Sequence, residues 1–235
     1  EAYTSKVEKH RPIHPEYVAS LIDELAAEDA VFTVDTGMCN VWAARYLTPN
    51  GRRAELGSFR HGTMAGALPQ AIGAQLVDGD RQVVTFSGDG GLAMLLGELL
   101  TVKLHDLPIK MVVFNNSSLG MVKLEMLVAG MPEFGTDHEK VDFAAIAAAM
   151  GIRSIRIEDP KKVRRGLAEA FAHPGPVLVD VVTDPNALSI PPDITWDMLT
   201  GFAKAATRTV FGGGVGRMVD LARGNLRNIG AAGKA

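Results

Sequence analysis

Short apolar runs rich in β-branched residues recur along this chain, and they constrain its fold more than any other feature. The runs are VFTVD (31–35), QVVTFS (82–87), KMVVFN (110–115), RSIRI (153–157) and VLVDVV (177–182). Segments with helical periodicity lie between them, at 15–28, 64–77, 92–105, 119–128, 142–150 and 160–172. The runs are nearly continuous in apolar residues, as in a parallel sheet that helices cover on both faces. The pattern predicts an α/β fold built on a doubly wound, mostly parallel sheet.

Composition narrows the class of protein further. Of the 235 residues, 47% are hydrophobic, which is enough for a sizeable core. The net charge of -3 gives no reason to expect nucleic acid as a partner. Cys39 is the single cysteine, so an internal disulfide is excluded and a reducing, cytoplasmic setting is expected. No apolar run reaches the roughly 18 residues that a membrane-spanning helix needs.

Three prolines mark the expected domain boundary. Pro185, Pro191 and Pro192 interrupt the alternating pattern. The sequence therefore predicts a compact domain over residues 1–185 and a separate tail over 186–235. Because the chain starts with Glu1 instead of Met, we also expect it to be a fragment or a processed piece.

Polar residues follow two of the predicted strands. In doubly wound sheets ligands bind beyond the carboxyl ends of the strands, so the loops after Asp35, Ser87 and Asn115 are the places to inspect. A right-handed crossover makes the second and third runs neighbours, which brings Asp89 and Asn116 face to face. A carboxylate and an amide oxygen are suitable ligands for Mg²⁺, which completes its coordination with phosphates and water.

The glycines around Asp89 have two interpretations. Asp-Gly pairs are ordinary turn formers, and two asparagines after a strand can form only a turn. Together, however, GDG (88–90), 24 intervening residues and NN (115–116) form a specific pattern in a strand, loop, helix and strand context. A dinucleotide site is the alternative, but SGDGGL lacks the G-x-G-x-x-G fingerprint and places an acid where a pyrophosphate would be repelled.

The pattern is that of thiamine diphosphate enzymes, and the chain resembles their pyruvate oxidase, or quinone-dependent pyruvate dehydrogenase, branch. The similar segments occur in family order over almost the whole chain: HPEYVASLIDEL, VWAARYL, GSFRHGTMAGALPQAIGAQ, SGDGG, VVFNNSSLG, GPVLVDVV and SIPPDI. The resemblance implies that Asp89, Asn116 and the Ser118 carbonyl coordinate Mg²⁺.

The resemblance also implies which residues contact the cofactor. Gly62, Thr63 and Met64 would meet the aminopyrimidine, and Met64 would hold the cofactor in a bent form, although core packing is the ordinary role of a methionine. His61 would either line the active site or cap a loop. The other residues expected to bind thiamine diphosphate are Thr36, Gly37, Gly90, Gly91, Ser117, Leu119, Gly120, Met121 and Val122.

Family members have parts that this sequence does not contain. A pyrimidine-binding domain supplies a catalytic glutamate, and a middle domain binds FAD in pyruvate oxidases. The resemblance therefore implies that the chain is the C-terminal portion of a longer enzyme, commonly a homotetramer, and that the isolated chain does not turn over pyruvate.

Two residues bear on the reaction type. Met121 and Glu125 are spaced i and i+4 in a predicted helix and share one face. The resemblance implies that Glu125 faces the active site as in oxidases, where acetolactate synthases tend to have tryptophan. Met121 stands where oxidases often have an aromatic residue, and an exposed surface position is the ordinary alternative for Glu125.

The tail contains two predicted helices, at 195–211 and 215–229. From Gly201 onward six basic residues face one acid, Asp220, and the second helix is basic and amphipathic. Such a helix either packs on the protein or binds an anionic membrane surface through residues 195–230. Since the matching region of the resembled branch binds lipid, a peripheral location on the cytoplasmic face of the membrane is expected, with Trp196, Phe202 and Phe211 in contact with lipid.

Three functions stay open at this point. The first is oxidative decarboxylation of pyruvate to acetate and CO₂, with electrons passing through FAD to a quinone. The second is an acetolactate synthase-like carboligase acting on 2-oxo acids. The third is a non-catalytic cofactor-binding chain of a two-chain decarboxylase.

Overall fold

The chain forms two compact units in a computed structural model that describes residues 7–188, 196–212 and 214–229. The first unit contains the chain up to Asn116 together with Lys140–Thr183. The second contains Ser117–Glu139 and the chain from Asp184 onward. The predicted domain boundary at residue 185 remains a prediction, and Pro191, Pro192 and residue 195 lie outside the described residues.

A six-stranded, all-parallel sheet is the centre of the first unit, in the order β2-β1-β3-β4-β6-β5. Its strands are β1 (Val31–Val34), β2 (Ala54–Gly57), β3 (Val83–Gly88), β4 (Lys110–Asn115), β5 (Arg153–Ile157) and β6 (Val177–Val182). The doubly wound α/β prediction is therefore confirmed. Strand order reverses at β1, which has β2 on one side and β3 on the other. The gap between β1 and β3 is thus the switch point where such sheets bind ligands.

Helices flank this sheet. They are α1 (Pro15–Leu25), α2 (Met38–Tyr46), α3 (Ala67–Val77), α4 (Asp89–Met94), α5 (Glu98–Leu104), α7 (Phe143–Ala149) and α8 (Val163–Ala172), with a 3₁₀ turn at Pro160–Lys162. Residues at the N-termini of two of these helices favour a helix start. For α1, Pro15 occupies the first turn, where its missing N–H is not needed. For α7, the Asp142 side chain accepts a hydrogen bond from the Ala145 N–H at 2.8 Å.

Three elements differ from the sequence prediction. β2 was not predicted, because it is an edge strand whose Glu55 and Leu56 are exposed and it has no apolar run. The helix α2 was not predicted either. The single helix predicted over 92–105 is two helices, α4 and α5, because the backbone at Leu95 leaves the helical region at φ -126° and ψ 38°.

The main hydrophobic core lies between the sheet and α3, α5 and α7. It includes Leu68, Leu99, Met111, Phe143 and Leu178, all at most 3% exposed. The strands β3 and β4 are buried along nearly their whole length, which fixes the positions of the loops that follow them.

The second unit consists of α6 (Gly120–Val128), α9 (Trp196–Phe211) and α10 (Val215–Ile229), so both helices predicted for the tail are present. Its small core contains Leu127, Leu188, Ala205 and Leu221. α9 passes so close to the end of α6 that a Cβ on Gly201 would lie 1.8 Å from the Val128 carbonyl oxygen. Among the described residues no helix is long and apolar enough to cross a membrane.

Candidate functional site

The two predicted metal ligands of the first unit follow neighbouring strands. β3 and β4 are adjacent and parallel, with Gly88 paired to Phe114. Asp89 comes directly after β3 and is 2% exposed, and Asn116 comes directly after β4 and is half-buried. The expectation that these two strand ends are neighbours is confirmed. Ser118, the third predicted ligand, belongs to the second unit.

The loop after β1 meets the loop before α3. The Thr36 N–H donates to the Thr63 carbonyl at 3.3 Å, so these predicted cofactor-binding residues are brought together. The backbone of this second loop is unusual, since Gly62 has φ 72° and Ala65, which is not a glycine, has φ 62°. A left-handed non-glycine residue costs free energy and occurs preferentially at functional sites. Within the loop, Met64 is half-buried and His61 is exposed.

Sequence reasoning missed Asp35, the buried acid at the end of β1. It is 2% exposed, and its Oδ1 accepts a hydrogen bond from the Ala67 N–H at 2.8 Å. The N–H groups of Gly66 and Gly88 also donate to this carboxylate. One side chain therefore connects the end of β1, the start of α3 and the end of β3. The sequence did contain a signal for Asp35, which is an acid at the end of an apolar run. An acid in such a place is expected to be buried, and a buried charge requires hydrogen-bond partners.

The environment of Asp35 shifts its protonation. Burial raises the pKa of Asp35 to about 6, and the N–H donors of Ala67, Gly88 and Gly66 act in the opposite direction. The donors favour the ionised carboxylate, whereas the loss of hydration opposes it. Burial also raises the pKa of the nearby Cys39 thiol, whose Sγ donates to the Asp35 carbonyl at 3.3 Å. Cys39 is thus an inert structural cysteine in this site.

Gly91 has a steric reason to be glycine. A Cβ at this position would lie 2.4 Å from Asp35 Oδ2 and 3.3 Å from the Ala65 nitrogen. The tight approach brings the GDGG segment against both Asp35 and the strained loop. Gly90, which precedes it, donates its N–H to Asp89 Oδ1 at 2.8 Å.

The second unit carries the other predicted site residues. Ser117, which has φ 54°, accepts a hydrogen bond from the His138 N–H at 3.0 Å, and Leu119 donates to the Thr136 carbonyl at 2.8 Å. The Ser118 carbonyl accepts a hydrogen bond from the Gly120 N–H at 2.9 Å.

Helix α6 begins at Gly120 and holds the two residues that bear on the reaction type. Met121 is half-buried and Glu125 is exposed, four residues further along the helix. Val122 is 42% exposed.

The first unit suits a hard divalent cation held with a diphosphate. Asp89 supplies a carboxylate and Asn116 an amide oxygen, the ligand types that Mg²⁺ prefers. Next to Asp89, Gly90 and Gly91 present backbone without side-chain bulk. Within the described residues no group of three or more His, Cys, Asp or Glu side chains could hold a metal.

The fold defines a doubly wound α/β domain, a class that binds ligands beyond the carboxyl ends of its strands. Comparison with known proteins gives the particular family. Residues 35–181 match the model of the thiamine pyrophosphate enzyme C-terminal TPP binding domain. The chain belongs to this family of thiamine diphosphate-binding domains.

The similar proteins carry names from the same class. A putative thiamine pyrophosphate-containing protein, YdaP, of Bacillus subtilis is 34% identical over 211 residues, which cover 90% of this chain and 37% of that protein. An acetolactate synthase large subunit of Parasynechococcus marenigrum is 35% identical over 181 residues, or 72% of this chain and 28% of the relative. A probable acetolactate synthase large subunit of Methanococcus aeolicus is 33% identical over 189 residues, which cover 77% of this chain and 32% of that protein. The chain thus spans less than two fifths of the length of these relatives.

Proposed function

We propose that the chain is the diphosphate- and metal-binding part of an enzyme that decarboxylates pyruvate or a related 2-oxo acid. The observation that carries the proposal is the placement of Asp89 and Asn116 at the ends of adjacent strands, within the family match. Asp89 and Asn116 would hold Mg²⁺, and the glycine-rich backbone beside Asp89 would receive the diphosphate.

The other residues of the site orient and enclose the cofactor. Bound thiamine diphosphate supplies the electron sink for the loss of CO₂ from the 2-oxo acid. Gly62 and Thr63 would present backbone groups to the aminopyrimidine, and Met64 would press on the cofactor from the loop that Thr36 fixes. This geometry is set before the substrate arrives, which reduces the entropic cost of reaching a reactive arrangement.

Cofactor binding is tested by calorimetry. Thiamine diphosphate is titrated into the protein in the presence of Mg²⁺, and the Asp89→Ala and Asn116→Ala variants are compared with the wild type. Loss of a carboxylate ligand should weaken binding at least tenfold, whereas Val77→Ser, at an 89% exposed position of α3, should leave it unchanged. Equal affinities for the wild type and both ligand variants would refute the proposal.

Two fates of the decarboxylated substrate have support. Carboligation is supported by the acetolactate synthases among the relatives. Oxidation, with FAD and a quinone as acceptors, is supported by Glu125, which stands where the resembled oxidases have a glutamate.

A product assay separates these fates. A preparation that includes the pyrimidine-binding and FAD domains implied by the resemblance is incubated with pyruvate. Reduction of a quinone or dye with acetate as product supports the oxidase, and acetolactate formation without dye reduction supports the carboligase. The control is Glu125→Trp, which should lower dye reduction only if the oxidase proposal is right.

A peripheral membrane role and a homotetramer remain proposals for the same protein. In the second unit Trp196 and Phe211 are 81% and 86% exposed, which fits contact with lipid. Leu221, by contrast, is 7% exposed and packs in the small core, so part of the apolar stripe of α10 is used within the unit.

A further inference from the structure

Asp180 is a charged residue in the middle of an apolar strand. It lies in β6 within VLVDVV and is 0% exposed. Transfer of a carboxylate into a protein interior costs several kcal/mol unless other groups satisfy it. The residue is absent from the metal pattern and from the thiamine diphosphate contacts predicted from the sequence, so its presence in the core requires another explanation.

The carboxylate of Asp180 is satisfied from three elements. Its Oδ1 accepts a hydrogen bond from Asn115 Nδ2 at 2.8 Å, and its Oδ2 accepts from the Phe143 N–H at 3.1 Å. The Arg156 guanidinium of β5 forms an ion pair with the same Oδ2. Burial raises the pKa of Asp180, while the Asn115 amide and the Arg156 charge favour the carboxylate.

Asn115 is fixed on several sides. It is the last residue of β4 and 3% exposed, and its side-chain nitrogen also donates to the Val141 carbonyl at 2.9 Å. Its own carbonyl accepts from the Thr183 N–H at 2.8 Å, which ties it to the end of β6. Both the main chain and the side chain of Asn115 are therefore anchored.

The anchored residue directly precedes Asn116. Successive side chains of a strand point to opposite faces, so holding the amide of Asn115 on one face fixes the direction in which the chain presents the next residue. The following residue, Ser117, is in the left-handed region at φ 54°, so the chain turns immediately afterwards. The anchor at Asn115 thus constrains the backbone from which the Asn116 side chain projects.

We propose that Asp180 and Asn115 are positioning residues that orient Asn116 for metal binding. This inference rests on the proposed function, because it assigns the arrangement to the Mg²⁺ site of the thiamine diphosphate cofactor. Outer groups that orient metal ligands typically contribute 10- to 100-fold to metal affinity. In this proposal Asn115 orients the metal ligand Asn116 and does not itself bind the metal.

A purely structural role makes a different prediction. If the network only stabilised the fold, its loss would lower the free energy of unfolding and leave the metal affinity of the folded protein unchanged. Gln75 supplies a matched control. It is 3% exposed, and its Nε2 donates to the carbonyls of Asp78, Gly79 and Arg81 at the opposite end of α3.

The test uses Mn²⁺ as the probe, since it occupies octahedral oxygen sites as Mg²⁺ does. The protein is titrated into Mn²⁺ with thiamine diphosphate, and the loss of the free-ion paramagnetic resonance signal gives the dissociation constant. The variants are Asn115→Leu and Asp180→Asn, with Gln75→Leu as the control and Asp89→Ala as the ligand variant. Urea unfolding of each variant is measured in parallel.

We expect Asn115→Leu to raise the Mn²⁺ dissociation constant 10- to 100-fold and Gln75→Leu to change it less than twofold at a similar loss of stability. Equal Mn²⁺ affinity of the wild type and Asn115→Leu, or equal weakening by Gln75→Leu, overturns the positioning role. Should Asn115→Leu fail to fold, Asp180→Asn decides by the same criterion. Wild-type protein that binds no Mn²⁺ with thiamine diphosphate, or Asp89→Ala that binds as the wild type does, refutes the proposed function instead.

Discussion

The contact between Gly91 and Asp35 gives a quantitative prediction for Gly91→Ala. The new Cβ would stand 2.4 Å from Asp35 Oδ2, about 1 Å closer than the 3.4 Å at which ordinary van der Waals contact begins. The Asp35 carboxylate cannot move by that distance and keep its 2.8 Å hydrogen bond to the Ala67 N–H. Losing a hydrogen bond to a charged group costs about 1.5–3 kcal/mol. Since alanine gains about 1 kcal/mol over glycine in a helix, the net loss should be about 0.5–2 kcal/mol.

The assay is urea unfolding with a matched glycine. Gly73 lies inside α3, and a Cβ there would meet nothing within 4 Å. Gly73→Ala should therefore stabilise the protein by about 0.5–1 kcal/mol, because only helix propensity changes. The two substitutions are chemically identical, so opposite signs would come from the contacts of the new Cβ at Gly91, of which the one to Asp35 is the shortest.

A double-mutant cycle isolates that contact. In an Asp35→Ala background the carboxylate is gone, and Gly91→Ala should lose most of its penalty. The interaction energy of the pair should then be about 1–3 kcal/mol. The same cost for Gly91→Ala in both backgrounds, or a stabilising effect equal to that of Gly73→Ala, would refute the reasoning.

Three further predictions concern other parts of the chain. The pKa of Asp35 is about 6 in the folded protein and 3.8 ordinarily, so the native state binds more protons than the unfolded state between these pH values. The free energy of unfolding should therefore fall by about 3 kcal/mol as pH rises through this window. Urea unfolding at several pH values measures the fall, which Asp35→Asn should lack. Gly201→Ala should destabilise the second unit by about 1–3 kcal/mol, because its Cβ would overlap the Val128 carbonyl. Gly216→Ala is the control, since a Cβ there would meet nothing within 4 Å and should not destabilise the unit. Hydrogen exchange in α6 measures the difference. Phe211→Ser should reduce flotation with anionic liposomes, whereas Phe134→Ser, also 86% exposed but in a loop, should not; equal flotation by both would count against lipid contact by the tail.

The central strands could be predicted from the sequence because their burial is uniform. β3 and β4 have helices on both faces, so nearly every residue is apolar and the run stands out without knowledge of the partners. β2 pairs only with β1, at the edge of the sheet. It is a strand because its backbone pairs with β1, and its composition does not indicate one. The break at Leu95 was likewise invisible, because the apolar pattern continues through LLGELL.

The site could be predicted where its chemistry is local. Asp89 and Asn116 stand in a pattern with fixed spacing, and the crossover rule places their strands side by side. Asp35 and Asp180 have no such pattern, because their partners are backbone N–H groups and side chains that only the tertiary fold assembles. Each is a single acid in or at the end of an apolar run, which is the one signal that composition offers.

Asp35 and Asp180 each form hydrogen bonds between two strands next to the candidate site, and the two strand pairs differ. Asp35 connects the end of β1 with Gly88 at the end of β3, and Asp180 connects β6 with Asn115 at the end of β4. The metal ligands of the first unit follow β3 and β4, the two strands that pair directly with each other. A buried carboxylate is costly in a core, but both are satisfied here: Asp35 accepts from the Gly88 N–H at the end of β3, and Asp180 accepts from the Asn115 side chain at the end of β4. In the proposed positioning role, the hydrogen bond between Asp180 and Asn115 at the end of β4 would also orient Asn116.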